Sequence, residues 1–285
     1  PKPSSAASDV YKRQDRQVLL LEAGPDPHPI PESIADGRQQ TRALLESPYI
    51  VMYPAERKGD GSTFYKISGR IMGGGSSVNA MAVVRPTRQD LDGWAARGNP
   101  GWTYDECLPV LKRIESDQDY PNSPFHGNSG PISVSRRVKF DQPMTGLERA
   151  LTETARLLGL PLCPDQNVPN PYGVSTPARC VKEGERQSVV VGYLEPARSR
   201  PNLTIVSGAQ VRLLEIEGER VSAVRYEKDE IIEKVVGDQV VLSAGVYQSP
   251  KILLMSGIGP PVELERHKIR VTLPREGVGE NLQDH

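Results

Sequence analysis

Short apolar runs alternate along the chain with long polar, turn-rich stretches. The run Gln17–Glu22 (QVLLLE) is bounded by charge and then by Ala23-Gly24-Pro25, which predicts a buried parallel strand. Residues 25–66 are rich in Pro, Gly and charge and read as an excursion, with a strand at Tyr49–Tyr53. Thr87-Arg88-Gln89-Asp90 can cap a helix through Ala96 that Gly98 ends, and Thr103–Glu106 is a capping box for a second helix to about Glu115, interrupted by Pro109. Pro131–Ser135 reads as a strand. Met144, Leu147, Leu151, Ala155 and Leu158 have helical spacing, so a helix is expected over Gln142–Gly159 with Asp141 as N-cap. A short helix is expected over Ser188–Arg198. The pattern then turns to period two. Asn202–Val206 is a strand, and Val211–Ile216 and Val221–Glu227 alternate about Glu217–Arg220 as a hairpin, followed by a strand at Ile231–Val236. Gln239–Ser243 predicts one more apolar strand, running into Ala244-Gly245 and a helix from about Ser249 to Met255 with Pro250 in its first turn.

Composition narrows the class. With 285 residues the chain makes one large domain or two small ones. Its 35 basic and 36 acidic side chains nearly cancel, which gives no case for nucleic acid or an anionic membrane surface. No apolar run approaches the roughly 18 residues of a membrane span. Cys107, Cys163 and Cys180 are too widely spaced for a metal pattern or a disulfide framework and point to a reducing, cytoplasmic setting. His28, His126, His267 and His285 show no ligand spacing, so no metal site is expected.

The candidate chemistry sits in Gly69–Met81. Gly73-Gly74-Gly75 can take positive φ and let a ligand approach the backbone. Ser76 or Ser77 can cap a helix whose first N–H groups then face an anion, and Asn79 adds a fixed donor and acceptor. A bare glycine–serine run also fits a flexible surface loop. Glu22 adds weight, because an acidic residue at the carboxyl end of a parallel strand accepts hydrogen bonds from a ribose in dinucleotide-binding units. The G-x-G-x-x-G turn that should lie some twenty residues upstream is absent. Residues 1–14 are polar and read as a disordered or foreign tail.

Taken in order, VLLLEAG (18–24), GRIMGGGSSVNAM (69–81), GNPGWTYDECLPVLKRIE (98–115), FHGNSGPISV (125–134), RPNLTIVSGAQV (200–211), SAGVYQSPKILLMSGIGP (243–260) and GVGENLQDH (277–285) resemble the glucose-methanol-choline (GMC) family of flavin oxidoreductases. The resemblance runs from about residue 15 to the end and implies an α/β fold (α+β overall), a Rossmann-like FAD-binding domain with an inserted part of a substrate-binding domain. Residues 15–125 and 201–285 would be the two parts of the FAD domain, and 126–200 the substrate-domain portion.

By position, the resemblance implies that Glu22 holds the adenosine ribose and that Ile71, Gly73, Gly74 and the segment Asn79, Ala80, Met81 and Ala82 line the flavin and pyrophosphate. Val211 would meet the adenine end, Ala244 and Gly245 would allow close approach, and Asn281, Asp284 and His285 would lie near the flavin. It also implies noncovalent FAD, since Val78 stands where some members carry a tethering histidine, and oxidation of a small-molecule alcohol, choline-dehydrogenase-like, to an unspecified electron acceptor. No catalytic residue is named, because the family's catalytic histidine is expected beyond residue 285. A hydroxynitrile lyase on the same flavin fold and an inactive fragment are the alternatives.

Overall fold

The computed structural model describes residues 16–57 and 60–283, as a mixture of helices and strands. The strands and helices used below are β1 (Val18–Glu22), β2 (Ile50–Glu56), β3 (Thr63–Gly69), α1 (Arg88–Ala96), α2 (Tyr104–Ile114), β4 (Ile132–Arg136), α3 (Gly146–Leu157), β5 (Leu203–Ser207), β6 (Gln210–Glu217), β7 (Arg220–Lys228), β8 (Ile231–Val235) and α4 (Gly245–Met255). They divide between two compact units. One comprises His28–Gly69 and Gly75–Pro196. The other comprises, of the described residues, those up to Pro27, Arg70–Gly74 and those from Ala197 on.

In the second unit β1 pairs in parallel with β5, in register from Val18↔Leu203 to Glu22↔Ser207. The run VLLLE therefore forms the expected parallel strand but not a buried one, since its residues are half-buried and Leu19 is exposed. The hairpin β6–β7 turns on Gly218 and Glu219, with Glu217 opposite Arg220, and β8 adds a third antiparallel strand. Leu214, Val224 and Ile252 bury a core beneath this sheet and α4, with Leu21, Val211, Val240 and Leu242 packed around it. The Ser256 hydroxyl closes α4 onto the sheet, accepting from Leu214 N at 2.8 Å and donating to Ile252 O at 2.6 Å.

Two further expectations fail here. Residues 239–243 form no strand. A parallel strand exists only through a neighbour's backbone ladder, and none pairs with this segment among the described residues, although Val240 and Leu242 still enter the core. α4 begins at Gly245 and not near Ser249, so Pro250 lies inside it.

In the first unit α1 and α2 start as their sequences dictate. The hydroxyls of Thr87 and Thr103 accept from the backbone N of Asp90 and Glu106, and those carboxylates reach back to the N-cap N–H. Pro109 does not interrupt α2. α3 is capped by Thr145 with Glu148 in the same way, not by Asp141, because the capping box satisfies two orphan donors at once. Its apolar face is not core: Leu147, Leu151 and Leu158 are exposed among the described residues. The helix expected over Ser188–Arg198 is a wide turn, Val190–Leu194, with a 3₁₀ turn after it. Within the excursion 25–66, β2 pairs with β3 as a hairpin, of which only the first strand is anticipated by sequence. Ser76 and Ser77 sit inside the one-turn helix Gly75–Val78 and do not cap it. Trp94 is half-exposed and packs edge-on against Trp102, 5.2 Å between centroids.

A buried charge network anchors this unit. Glu115 and Asp117 occupy alternate positions of the short strand Glu115–Asp117, which places both side chains on one face. That strand runs parallel to β4, which carries Arg136. His126 Nδ1 lies 2.7 Å from Glu115 Oε1 and 3.1 Å from Asp117 Oδ2, while Nε2 lies 2.7 Å from Asp165 Oδ2. Both ring nitrogens face carboxylates, so both must donate and the ring is an imidazolium. Arg136 pairs with Asp117 and Asp165 at 2.9 Å, and Arg85 pairs with Glu115. Burial alone pushes the His126 pKa down, but Asp117, Asp165 and Glu115 outweigh it and raise the pKa to about 10. Burial pushes Asp117 up, yet His126 and Arg136 hold it well below the usual carboxylate range.

A folded-state pKa raised from 6.5 to about 10 means that the His126 contribution is complete below pH 6.5. It is lost as pH rises through about 10. Urea unfolding followed from pH 6 to pH 10 should show stability falling across that window. His126→Gln should remove most of that slope and cost about 3–5 kcal/mol at neutral pH, as loss of one partner from a buried ionic set does. A wild-type profile flat between pH 6 and 10 would contradict the imidazolium assignment.

Candidate functional site

In the second unit the site is built at the carboxyl end of β1. Glu22 O accepts from Ala209 N at 2.8 Å, Gly24 O accepts from Gly208 N at 3.0 Å, and Pro25 O accepts from Met72 N at 2.9 Å. The first two bonds tie the turn after β1 to residues 208–209, and the third lays it on the glycine run. A Cβ on Gly24 would stand 2.2 Å from Arg70 C and from Ile71 N, so only glycine permits the approach. Ile71 and Met72 are buried and fix the run from beneath. Gly73 and Gly74 then take left-handed conformations, φ +86° and +51°, and a Cβ on Gly74 would meet nothing within 4 Å. The backbone at Gly74 therefore faces open space.

The Glu22 carboxylate is half-buried and accepts from Gly24 N at 2.7 Å. Burial raises its pKa, and the N–H groups of Gly24 and Ala23 offset part of that rise. Its remaining acceptor capacity suits the two hydroxyls of a ribose.

The other positions singled out by sequence fall as follows. Val211 lies two residues past Ala209 in β6, and its side chain packs on the core. Ala244 caps α4 without a side-chain hydrogen bond. Gly245 opens the helix at φ +84°, exposed and with nothing near its Cβ position. Asn281 is exposed and left-handed, φ +54°. Asp284 and His285 lie outside the described residues.

In the first unit Asn79 ends the helical turn, its N–H bonded to Gly75 O at 2.8 Å and its Oδ1 accepting from Met81 N at 2.9 Å. Met81 is buried in a left-handed conformation, φ +64°, which costs about 1–2 kcal/mol for a residue with a Cβ. The bond from Cys180 N to Met81 O, 2.9 Å, helps to hold it there. Such strain is characteristic of ligand-facing turns. Asn79, Ala80 and Ala82 are exposed.

Two arginines that sequence reading passed over stand behind this turn. Arg186 donates to the carbonyl oxygens of Ile34, Ser76 and Asn79, and Arg179 to those of Gly37 and Ala80. The buried charge network was also missed. Its signal was present as an acid–x–acid strand, Glu115–Asp117, eleven residues before His126. Glu115, Asp117 and His126 bring ligand atoms within 4.8 Å of one another, but their oxygens already accept from Arg85 and Arg136, so the set is an ion network. The three cysteines are free, and no helix among the described residues is long and apolar enough to cross a membrane.

Two glycine substitutions separate close approach from backbone conformation. Gly24→Ala drives a methyl into the Arg70–Ile71 backbone and should cost about 3 kcal/mol, the upper end for overpacking. Gly74→Ala meets no neighbour and should cost only the left-handed penalty, about 1–2 kcal/mol. Denaturant midpoints at constant slope measure both, and equal losses would contradict the packing described.

The GMC oxidoreductase profile matches residues 17–285. The chain is 36% identical to 5-(hydroxymethyl)furfural oxidase of Methylovorus sp. (strain MP688), over 99% of this chain and 55% of that protein. It is 34% identical to choline oxidase of Arthrobacter globiformis, over 94% and 50%. Among solved structures, an FAD-dependent oxidoreductase from Chaetomium thermophilum superposes with a TM-score of 0.85 at 26% identity, over 98% of this chain and 50% of that one. The chain thus spans about half the length of the curated relatives it matches. Residues 17–285 carry the profile almost end to end, and this chain belongs to the GMC oxidoreductase family.

Proposed function

We propose that this chain is the FAD-binding part of an oxidoreductase acting on the CH–OH group of a small alcohol, with the cofactor held noncovalently. The observation that carries the reading is the Glu22 turn. It presents a half-buried carboxylate at the end of a parallel strand whose turn packs on a glycine run in which Gly74 is left-handed with nothing near its Cβ position. Glu22 would hold the adenosine ribose, Gly24 and Ile71 would set how closely the backbone approaches, and Gly73 and Gly74, lacking side chains, would let the pyrophosphate come close to the backbone. Asn79, Ala80, Met81 and Ala82 would face the flavin side. When bound, FAD supplies the acceptor for hydride at flavin N5. Val78 has no nucleophile to tether a cofactor, which supports reversible binding.

The alcohol class is supported by relatives named for choline and for 5-(hydroxymethyl)furfural. No histidine of the described residues is assigned as the base. His126 is fully engaged by three carboxylates, His28 faces Glu195, and His267 is exposed on Glu263. The residues described here bind and orient the cofactor.

Anaerobic mixing of the flavin-loaded protein that carries this chain with choline and with a primary aryl alcohol tests the activity. Bleaching of the flavin band by one of them is expected, and no reduction by any alcohol would overturn the proposal. Glu22→Ala should weaken FAD about tenfold or more, the worth of a hydrogen bond to a charged group. Because burial raises the Glu22 pKa, wild-type affinity should fall on acidification from a higher pH than an ordinary carboxylate gives. Fluorescence titration of FAD at several pH values reads both, and an unchanged affinity in Glu22→Ala would contradict the assignment.

A further inference from the structure

The side chain of Arg186 is a buried cation with no carboxylate partner among the described residues. The residue is 2% exposed, and its guanidinium is bonded only to oxygens that carry no net charge. Nε donates to Ile34 O at 2.9 Å. Nη1 donates to Asn79 O at 2.8 Å, Asn79 Oδ1 at 3.1 Å and Ser76 O at 3.2 Å. Nη2 is buried without a partner. Arg179, the nearby second cation, donates through Nη2 to Gln40 Oε1 at 2.6 Å, Gly37 O at 3.2 Å and Ala80 O at 3.5 Å, again with no carboxylate. The contrast with the His126 network, where cations meet carboxylates directly, is sharp. Burying an uncompensated charge costs several kcal/mol, so a positive charge kept in this form needs a use.

The direction of the carbonyls supplies one. In a trans peptide the C=O of one residue and the N–H of the next point oppositely. With Asn79 O drawn toward the Arg186 guanidinium, the Ala80 N–H that follows it turns to the other side, where Asn79, Ala80 and Ala82 are exposed. Asn79 Oδ1 is shared between Arg186 Nη1 and Met81 N, which ties the left-handed Met81 to the same cation. We infer that Arg186, backed by Arg179, is a positioning residue. It gathers the carbonyl oxygens of the Ser76–Ala80 turn on one side, so that the turn presents the Ala80 N–H and a net positive field to an anionic cofactor. The anion in question rests on the FAD reading above, whereas the gathering of the turn does not.

Hydrogen–deuterium exchange on the protein without added flavin tests the positioning directly. Arg186→Met should raise exchange at the Asn79 and Met81 amides at least tenfold and leave the β6–β7 hairpin unchanged. Arg186→Lys keeps the charge but cannot fork onto four oxygens, so it should give the same local increase. It serves in the same way if Arg186→Met does not fold. Unchanged exchange at Asn79 and Met81 in a folded variant would overturn the inference. FAD titration is the second readout. Arg186→Met should bind at least tenfold more weakly, with Arg186→Lys recovering part of the loss because its charge remains. Wild-type affinity in Arg186→Met would overturn the electrostatic half. If the unaltered protein takes up no FAD, the cofactor reading fails, and the exchange measurement still decides the role of Arg186.

Discussion

The close contact between the turn after β1 and the glycine run is the constraint on which the candidate site depends. The bond from the Met72 N–H to Pro25 O secures it, while Glu22 O and Gly24 O tie the same turn to Ala209 and Gly208. A hydrogen at the Gly24 Cα, where any other residue has a Cβ, lets Arg70 and Ile71 come in. Two segments separated by nearly fifty residues are thereby fixed edge to edge, one carrying a carboxylate and the other bare, left-handed backbone. The buried side chains of Ile71 and Met72 hold that arrangement from below. No side chain has to reach out to make a ligand site of this kind. The backbone does it, and side chains keep the backbone still.

The first unit solves a similar problem with charge. Around His126, carboxylates and cations are matched at hydrogen-bond distance, and the result is a rigid anchor between the strand Glu115–Asp117, β4 and the loop carrying Asp165. At Arg186 the same unit buries a cation against carbonyl oxygens alone. The first pattern suits a scaffold, since every partner is internal. The second leaves a surplus of positive field behind an exposed turn, which suits a surface that meets an anion.

Much of the fold was legible because local rules decided it. The capping boxes at Thr87 and Thr103 fixed both helix starts, and alternation fixed the β6–β7 hairpin. Where a rule needs a distant partner, the sequence misled. Residues 239–243 are as apolar as a strand, but a strand is a pairing, and this segment has no paired neighbour among the described residues. α3 has the spacing of a core helix and buries none of its residues, because spacing records which face is apolar and not what covers it. At the site, Glu22 and the glycines were visible as types in a pattern. Arg179 and Arg186 were not, because two arginines seven apart in a polar stretch look like any solvated charge. Only the folded chain brings them behind Ser76–Ala80. His126 was hidden likewise, its carboxylate partners lying both before and after it in sequence.

The central claim is that this chain holds FAD, reversibly, on a site made largely of backbone. The most direct measurement is to load the purified protein with FAD, remove the excess by gel filtration, precipitate it with acid and quantify the flavin in both fractions. The account predicts stoichiometric flavin, all of it released to the supernatant. A protein that retains no flavin, or one whose flavin stays with the precipitate, would contradict it.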